Sequence, residues 1–494
     1  MPRLLLLILL SGPLSLWGSK AYFDWSPTAR KAYGKTIQLR FTEAQGLLDQ
    51  LEEEEPSNLV RIHIENYLDF FRVFINEDHD EFQRLEKNKD LRLQQLKNSP
   101  SDSPWRLYIQ ADIRLQWALA RLKFEEYSTS FLEVNKAFKL LEENARLFPD
   151  FMPNKKDLGI LHAMVGTIPD GYKWAVQWVS SMEGSIAQGR GELEEVIEYS
   201  RSHDFIFEEE TYVLYAYLLL HLDNKDQEAW RVIRESGLHA ETNPLACFLM
   251  ANVAMRTGRN DEAIDLLEHR PGGRAFHPFP YLDFMLGIAK LQRLDIDADT
   301  YLQKYLDQFE GRNFIKEAYQ KLAWHRLVEG DLKGYRANME QVKKYGYTVV
   351  ESDKSAQQEA EKGEVPNGSL LRARLLFDGG YYERARQVMQ AVSEKLLFST
   401  RDKLEYRYRY GRVNHALGKY ELALQHYANT IELGASGPWY FACRAALESG
   451  RIYESQGKKA EARAAYQKCL DLKPEEHRAG IHQAAKAGLG RLGK

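Results

Sequence analysis

The sequence predicts an all-α protein built as a superhelical array of antiparallel helix hairpins. Three observations carry that expectation. Apolar residues recur at helical spacing through most of the 494 residues. There is no series of alternating β-branched runs joined by Asn-Gly turns. Towards the C-terminus, small and aromatic residues return at one long period. The composition agrees: 44% hydrophobic and 28% charged residues suit a chain that buries a core, which excludes a disordered or fibrous protein. A formal net charge of −4 argues against a nucleic-acid binder working through bulk charge.

The first residues read as a leader rather than as part of the fold. Arg3 precedes an unbroken aliphatic run at residues 4–10, and Gly12 and Pro13 break it. Ser19 and Ala21 then place small residues at a cut before Tyr22, the pattern of a secretory signal over residues 1–21. No later stretch is long and apolar enough to cross a bilayer. The chain is therefore expected to be secreted or periplasmic, with no lipid-anchoring Cys near the cut. Its three cysteines, Cys247, Cys443 and Cys469, are too few and scattered for a disulfide scaffold. Free buried thiols are expected, although Cys443 and Cys469 could meet between neighbouring helices.

Helical patterns follow one another from there. Leu59, Ile62, Leu68, Phe71 and Ile75 share one face. Trp105, Ile109, Ile113, Trp117, Leu119 and Phe124 do the same in a helix opening after Ser103-Pro104, and residues 130–147 form its partner, stopping at Pro149. Residues 172–190, with Trp174 and Trp178, make a separate segment. Gly346, Gly363, Pro366 and Gly368 mark a linker. The expected division is a leader at 1–21, an N-terminal helical region with degenerate repeats at 22–200, middle repeats at 201–345, a linker with a short helix at 346–366, and C-terminal repeats at 367–494.

The repetition is most explicit at the end. Gly450, Tyr453, Gly457, Ala462, Tyr466 and Pro474 fall at positions 8, 11, 15, 20, 24 and 32 of one unit, and Gly411, Ala423 and Tyr427 at positions 8, 20 and 24 of the unit before. Such a unit, about 34 residues long, resembles the tetratricopeptide repeat. Degenerate units surround Ala251, Gly258 and Ala263, then Ala323 and Gly330, then Ala373, Gly380 and Ala385. Small residues at positions 8 and 20 are expected to let the two helices of a hairpin approach, with Ala462 against Gly450. Gly at position 15 is expected to end the first helix in a left-handed conformation.

Patterns of site chemistry are weak. Residues 29–36 nearly spell a P-loop, but Ala29 replaces its first Gly and no apolar strand precedes it, so a basic amphipathic helix is expected. Asp295, Asp297 and Asp299 imitate a calcium loop that lacks its Gly and Glu, and are expected to cap the helix starting near Ala298. His221, His325 and His415 lie on separate helices without metal-ligand spacing and are expected at helix surfaces or in the groove. Residues 52–55 read as a solvated helix end, and Glu208–Glu210 as the start of an aromatic helix. No catalytic residue, cofactor or metal is expected.

The resemblance implies a non-enzymatic protein- or peptide-binding scaffold of the cell envelope, with the ligand in the concave groove. A secreted glycan-binding protein and a helical hydrolase are the alternatives. In this repeat family, positions 2, 5, 9 and 12 of each first helix face inward. Counting from position 8 puts Arg374, Arg412 and Arg451 at position 9 of three consecutive units, with Phe377, Tyr408, His415 and Arg444 on the same face. This is expected to be a basic, aromatic-edged track for an acidic or carboxylate-ended segment, with arginine forks pairing carboxylates. The competing expectation is that these arginines pair with Glu405, Glu448 or Glu454 and only solvate the face.

Overall fold

The computed structural model describes residues 20–165 and 182–493. Residues 1–19 of the expected leader, and Trp174 and Trp178, lie outside the described residues. Among the described residues the elements are helices, and the one β-feature is an isolated bridge between Tyr22 and Asn58.

The chain runs as successive antiparallel hairpins. Helices Pro27–Ile37 and Phe41–Glu54 form the first. Ser26 starts it, its hydroxyl accepting from Ala29 N while Pro27 takes the first turn, where no N–H is needed. Ala29, Ala32, Tyr33 and Thr36 are buried, so the near-P-loop is an ordinary amphipathic helix. Val60–Asn76 and His79–Lys97 follow, then the long pair Trp105–Lys123 and Tyr127–Leu147. His79–Lys97 carries little helical signal in its sequence: its surface is largely charged, and Phe82, Leu85, Leu93 and Leu96 are its buried apolar residues.

Hairpins then pair Met152–Val165 with Ile186–Ser200, Glu208–Tyr217 with Asp226–Glu235, Pro244–Arg256 with Asn260–Glu268, Tyr281–Arg293 with Ala298–Gln308, and Ile315–Val328 with Leu332–Lys344. The single helix Glu351–Lys362 packs on the last of these. Three more hairpins close the array: Gly368–Asp378 with Tyr382–Ala391, Thr400–Ala416 with Tyr420–Gly434, and Phe441–Ser455 with Lys459–Asp471. Arg478–Arg491 lies against the final pair. Asn367 caps its helix, accepting from Ser369 N and Leu370 N.

The repeat register appears in the backbone. Gly258, Gly330, Gly380, Gly418 and Gly457 all have φ between 71 and 89, so these five first helices end at a left-handed glycine, whereas Tyr281–Arg293 ends at Leu294. The inner packing differs in one respect from the expectation. The side chain nearest Gly450 is the Tyr466 ring rather than Ala462, and Gly411 faces Tyr427 in the same way. Position 8 is small because the aromatic ring at position 24 lies flat on it.

Two long-range seams tie the array together. A Cβ on Gly380 would come within 2.9 Å of Gly258 Cα, and beside it the Tyr381 hydroxyl donates to Asp261 at 2.8 Å. The second seam joins the 270–313 region to the N-terminal hairpins: His277 N donates to Leu39 O at 2.7 Å, its ring stacks on Phe41, and Glu77 receives Arg312 N and Asn313 N.

Candidate functional site

The inner face of the last three hairpins carries the groove. Gly368–Asp378 supplies Arg374 and Phe377; Thr400–Ala416 supplies Tyr408, Arg409, Arg412 and His415; Phe441–Ser455 supplies Arg444, Glu448 and Arg451. Spacings of three and four residues bring these side chains above one another on each helix. Arg374, Tyr408, Arg412 and Arg444 line one cavity of about 740 Å³, together with His477, Arg478 and Ile481. Phe377, His415 and Arg451 do not line it. Phe377 lies behind Arg412, and the other two approach Glu448.

Charge is balanced unevenly along the wall. Glu448 is 5% exposed, with Arg444 Nε at 3.0 Å, Arg451 Nη1 at 3.1 Å and His415 Nδ1 at 4.0 Å. Burial raises its carboxyl, but Arg451, Arg444 and Arg412 outweigh burial and hold it below the ordinary carboxylate value. Glu405, equally buried, takes Arg409 at 2.5 Å and Arg401 at 3.4 Å, and is likewise held down against its burial. Burial, with Arg412 and Arg451 nearby, keeps His415 below its usual value despite the opposing pull of Glu448.

Arg412 is different. Among the described residues it forms no salt bridge. Its guanidinium lies 4.2 Å over the Phe377 ring and donates a long bond of 3.5 Å to the Tyr408 hydroxyl, while Glu448 acts on it through charge alone. Arg374 stands similarly, 4.5 Å over Trp324 with its nearest carboxylate, Asp378, at 3.7 Å. An aromatic plane holds each fork in place while leaving N–H groups for an incoming acceptor. The two expectations thus divide by residue: Arg444 and Arg451 are committed to Glu448, whereas Arg412 is not.

Several groove residues escaped the sequence reading. Arg409, Tyr440 and Arg478 join the lining. Arg409 is one residue off the inward face and reaches it by pairing with Glu405. Arg478 belongs to the last helix, which follows no repeat register.

A second polar cluster is buried in the N-terminal region. Lys156 Nζ sits 2.7 Å from Glu210 Oε2, 3.1 Å from Asp157 Oδ1 and 4.6 Å from the Phe207 ring. Tyr67 donates to Glu210 at 3.1 Å, Tyr33 donates to its other oxygen, and His63 lies 2.6 Å from Asp112. Burial pushes the Lys156 ammonium down, but Asp157, Glu210 and Asp112 hold it well above its ordinary value. Glu210 therefore does more than begin an aromatic helix: it ties four helices.

Other motifs settle into structural roles. Asp297 precedes the helix Ala298–Gln308 but accepts no cap bond; it pairs with Lys290, Asp295 with Arg293 and Asp299 with Arg326. Adjacent cations outcompete the helix end for these carboxylates. His325 is 2% exposed, a core residue rather than a surface or groove one. Glu52, Glu53 and Glu54 are exposed as expected, while Glu55 accepts from Asn58 at 2.7 Å. Among the described residues no helix is long and apolar enough to cross a membrane, and no three His, Cys, Asp or Glu side chains are placed to hold a metal.

Comparison with known families matches the same stretch. Residues 370–438 and residues 444–476 each match a tetratricopeptide repeat family pattern. The C-terminal segment carries tetratricopeptide repeats. Arrays of this kind present concave protein-binding surfaces, so the segment is a protein-binding scaffold at that level of description. No curated protein sequence matches the chain. Among solved structures, the human IFIT1 dimer with m7Gppp-AAAA is similar at 14% identity and a TM-score of 0.31, over 96% of this chain and 90% of that one. Naa15/Naa10 bound to HypK-THB is similar at 14% identity and a TM-score of 0.24, over 94% of this chain and 65% of that one. Likenesses at these scores decide nothing about this chain.

Proposed function

We propose that the chain is a non-enzymatic scaffold of the cell envelope whose C-terminal groove binds an acidic segment, or a carboxylate-ended one, of a protein partner. The observation that carries this reading is Arg412. A guanidinium set into a groove wall, stacked on Phe377 and in no salt bridge among the described residues, has already given up part of its hydration. A bidentate carboxylate from a ligand restores what it lost. Arg374, one repeat away and paired with Asp378 only at 3.7 Å, offers a second fork stacked on a ring. The buried pairs at Glu405 and Glu448 keep the surrounding arginines oriented rather than free to collapse over the opening. The secretory pattern at residues 1–21 supports the envelope location.

The test uses a labelled peptide rich in Asp and Glu with a free C-terminal carboxylate, and its counterpart with Asn, Gln and an amidated end. The acidic peptide should bind the full chain saturably and the neutral one should not. Equal binding of the two would refute an acidic ligand.

A further inference from the structure

Two of the chain's three cysteines face each other across the last repeat hairpin. Cys443 is on Phe441–Ser455 and Cys469 on Lys459–Asp471, with their Sγ atoms 3.6 Å apart. Both are free thiols, 1% and 0% exposed. The third, Cys247, is buried in another hairpin, where its thiol donates to Leu266 O.

We propose that Cys443 and Cys469 are a redox-modification site that a small-molecule disulfide converts reversibly to an intrachain disulfide. A disulfide bond is about 2.05 Å long, so sulfurs already this close need side-chain rotation and slight helix adjustment rather than refolding. In the thiol form Cys443 donates to Cys469 O at 3.3 Å, which keeps its sulfur turned towards the facing helix. The Cys469 S–H can donate to Cys443, and Arg444 is adjacent; together they outweigh burial and hold the Cys443 thiol below its ordinary value, so it gives up its proton more readily.

The exchange balances in two steps. The Cys443 thiolate attacks one sulfur of the small disulfide, forming a mixed disulfide and expelling one thiolate. Cys469 then loses its proton and attacks the Cys443 sulfur, closing the intrachain bond and expelling the second thiolate. Two electrons and two protons pass from the protein to the small disulfide, which leaves as two thiols. Excess small thiol reverses both steps.

Access runs under the helix Arg478–Arg491. Ile481 and Ala485 of Arg478–Arg491 pack in the same apolar cluster as the two cysteines, so this helix covers them. Local opening of this single helix uncovers the sulfurs. The link also touches the groove: Arg444, the next residue after Cys443, lines it, as do Arg478 and Ile481. The site is independent of the ligand reading above.

The experiment incubates the full chain in buffers of set oxidised-to-reduced glutathione ratio until no further change, then alkylates it in denaturant and analyses its peptides by mass. Under oxidising ratios, two of the three thiols should be lost, with the Cys443 and Cys469 peptides joined and Cys247 alkylated. Reduced glutathione should restore all three, and the thermal midpoint should rise with linking and fall back with reduction. Cys247→Ser should leave the link intact, and Cys469→Ser should abolish it. Three alkylatable thiols at every ratio, or glutathione adducts in place of the joined peptides, would overturn the proposal.

Discussion

Glu77 Oε2 lies 2.9 Å from Asn313 N and 2.7 Å from Asn313 Nδ2, joining residues 236 positions apart. Both are buried, at 4% and 0% exposure, and the other Glu77 oxygen takes Lys123 at 2.7 Å. One carboxylate therefore clamps the end of Val60–Asn76 to the loop that opens Ile315–Val328. Glu77→Ala should cost roughly 2–4 kcal/mol, since it strands buried N–H donors as well as losing their bonds. Glu77→Gln, which keeps one acceptor, should cost less. Glu125→Ala removes a more exposed carboxylate that pairs with Arg312 and should change little. Urea midpoints of the three variants check this, and equal losses would contradict it.

The flat contact between Gly450 and Tyr466 sets up a contest between propensity and packing. A Cβ on Gly450 would sit 2.5 Å from Tyr466 Cδ1. Alanine gains about 1 kcal/mol over glycine inside a helix. Overpacking a buried ring costs about 1–3 kcal/mol. Gly450→Ala should therefore lower the denaturation midpoint. Gly46, inside Phe41–Glu54 with nothing within 4 Å of its would-be Cβ, is the counterpart, and Gly46→Ala should raise the midpoint.

His277 makes the second seam sensitive to pH. Burial and the charge of Arg72 push its imidazole from the ordinary 6.5 down to about 4. The folded state thus resists a proton that the unfolded chain accepts. The sign follows: this residue's contribution is fully present above the unfolded value of 6.5, and is lost as pH falls from there towards 4. His277→Gln lacks the linkage. The stability gap between wild type and this variant should shrink from about pH 7.5 to about pH 4.5. A gap that stays constant would show that His277 keeps its ordinary titration in the fold.

The repeat register was legible because it is local. Gly411, Gly450, Tyr427 and Tyr466 obey one spacing, since each hairpin solves the same crossing problem. The left-handed glycines follow from the same rule. The seam was not legible: Glu77 and Asn313 carry no shared pattern, and nothing in a one-dimensional period marks a contact between distant turns. His79–Lys97 was hidden by its charge. In the groove, the inward face could be counted, but the state of each arginine could not. Arg412 and Arg451 hold the same repeat position. Arg451 finds Glu448 three residues earlier, whereas Arg412 finds Tyr408 four residues earlier. The neighbour on the same helix decides which fork stays open.

That difference gives the most direct test of the account. Binding of the acidic peptide is measured for wild type, Arg412→Gln and Arg451→Gln across a salt series, with circular dichroism to check the helices. Arg412→Gln should weaken binding about tenfold or more at low salt, as expected for a lost charged hydrogen bond, and flatten the salt dependence. Arg451→Gln, whose charge is already spent on Glu448, should bind within about twofold of wild type. Equal low-salt affinity for wild type and Arg412→Gln would contradict the account.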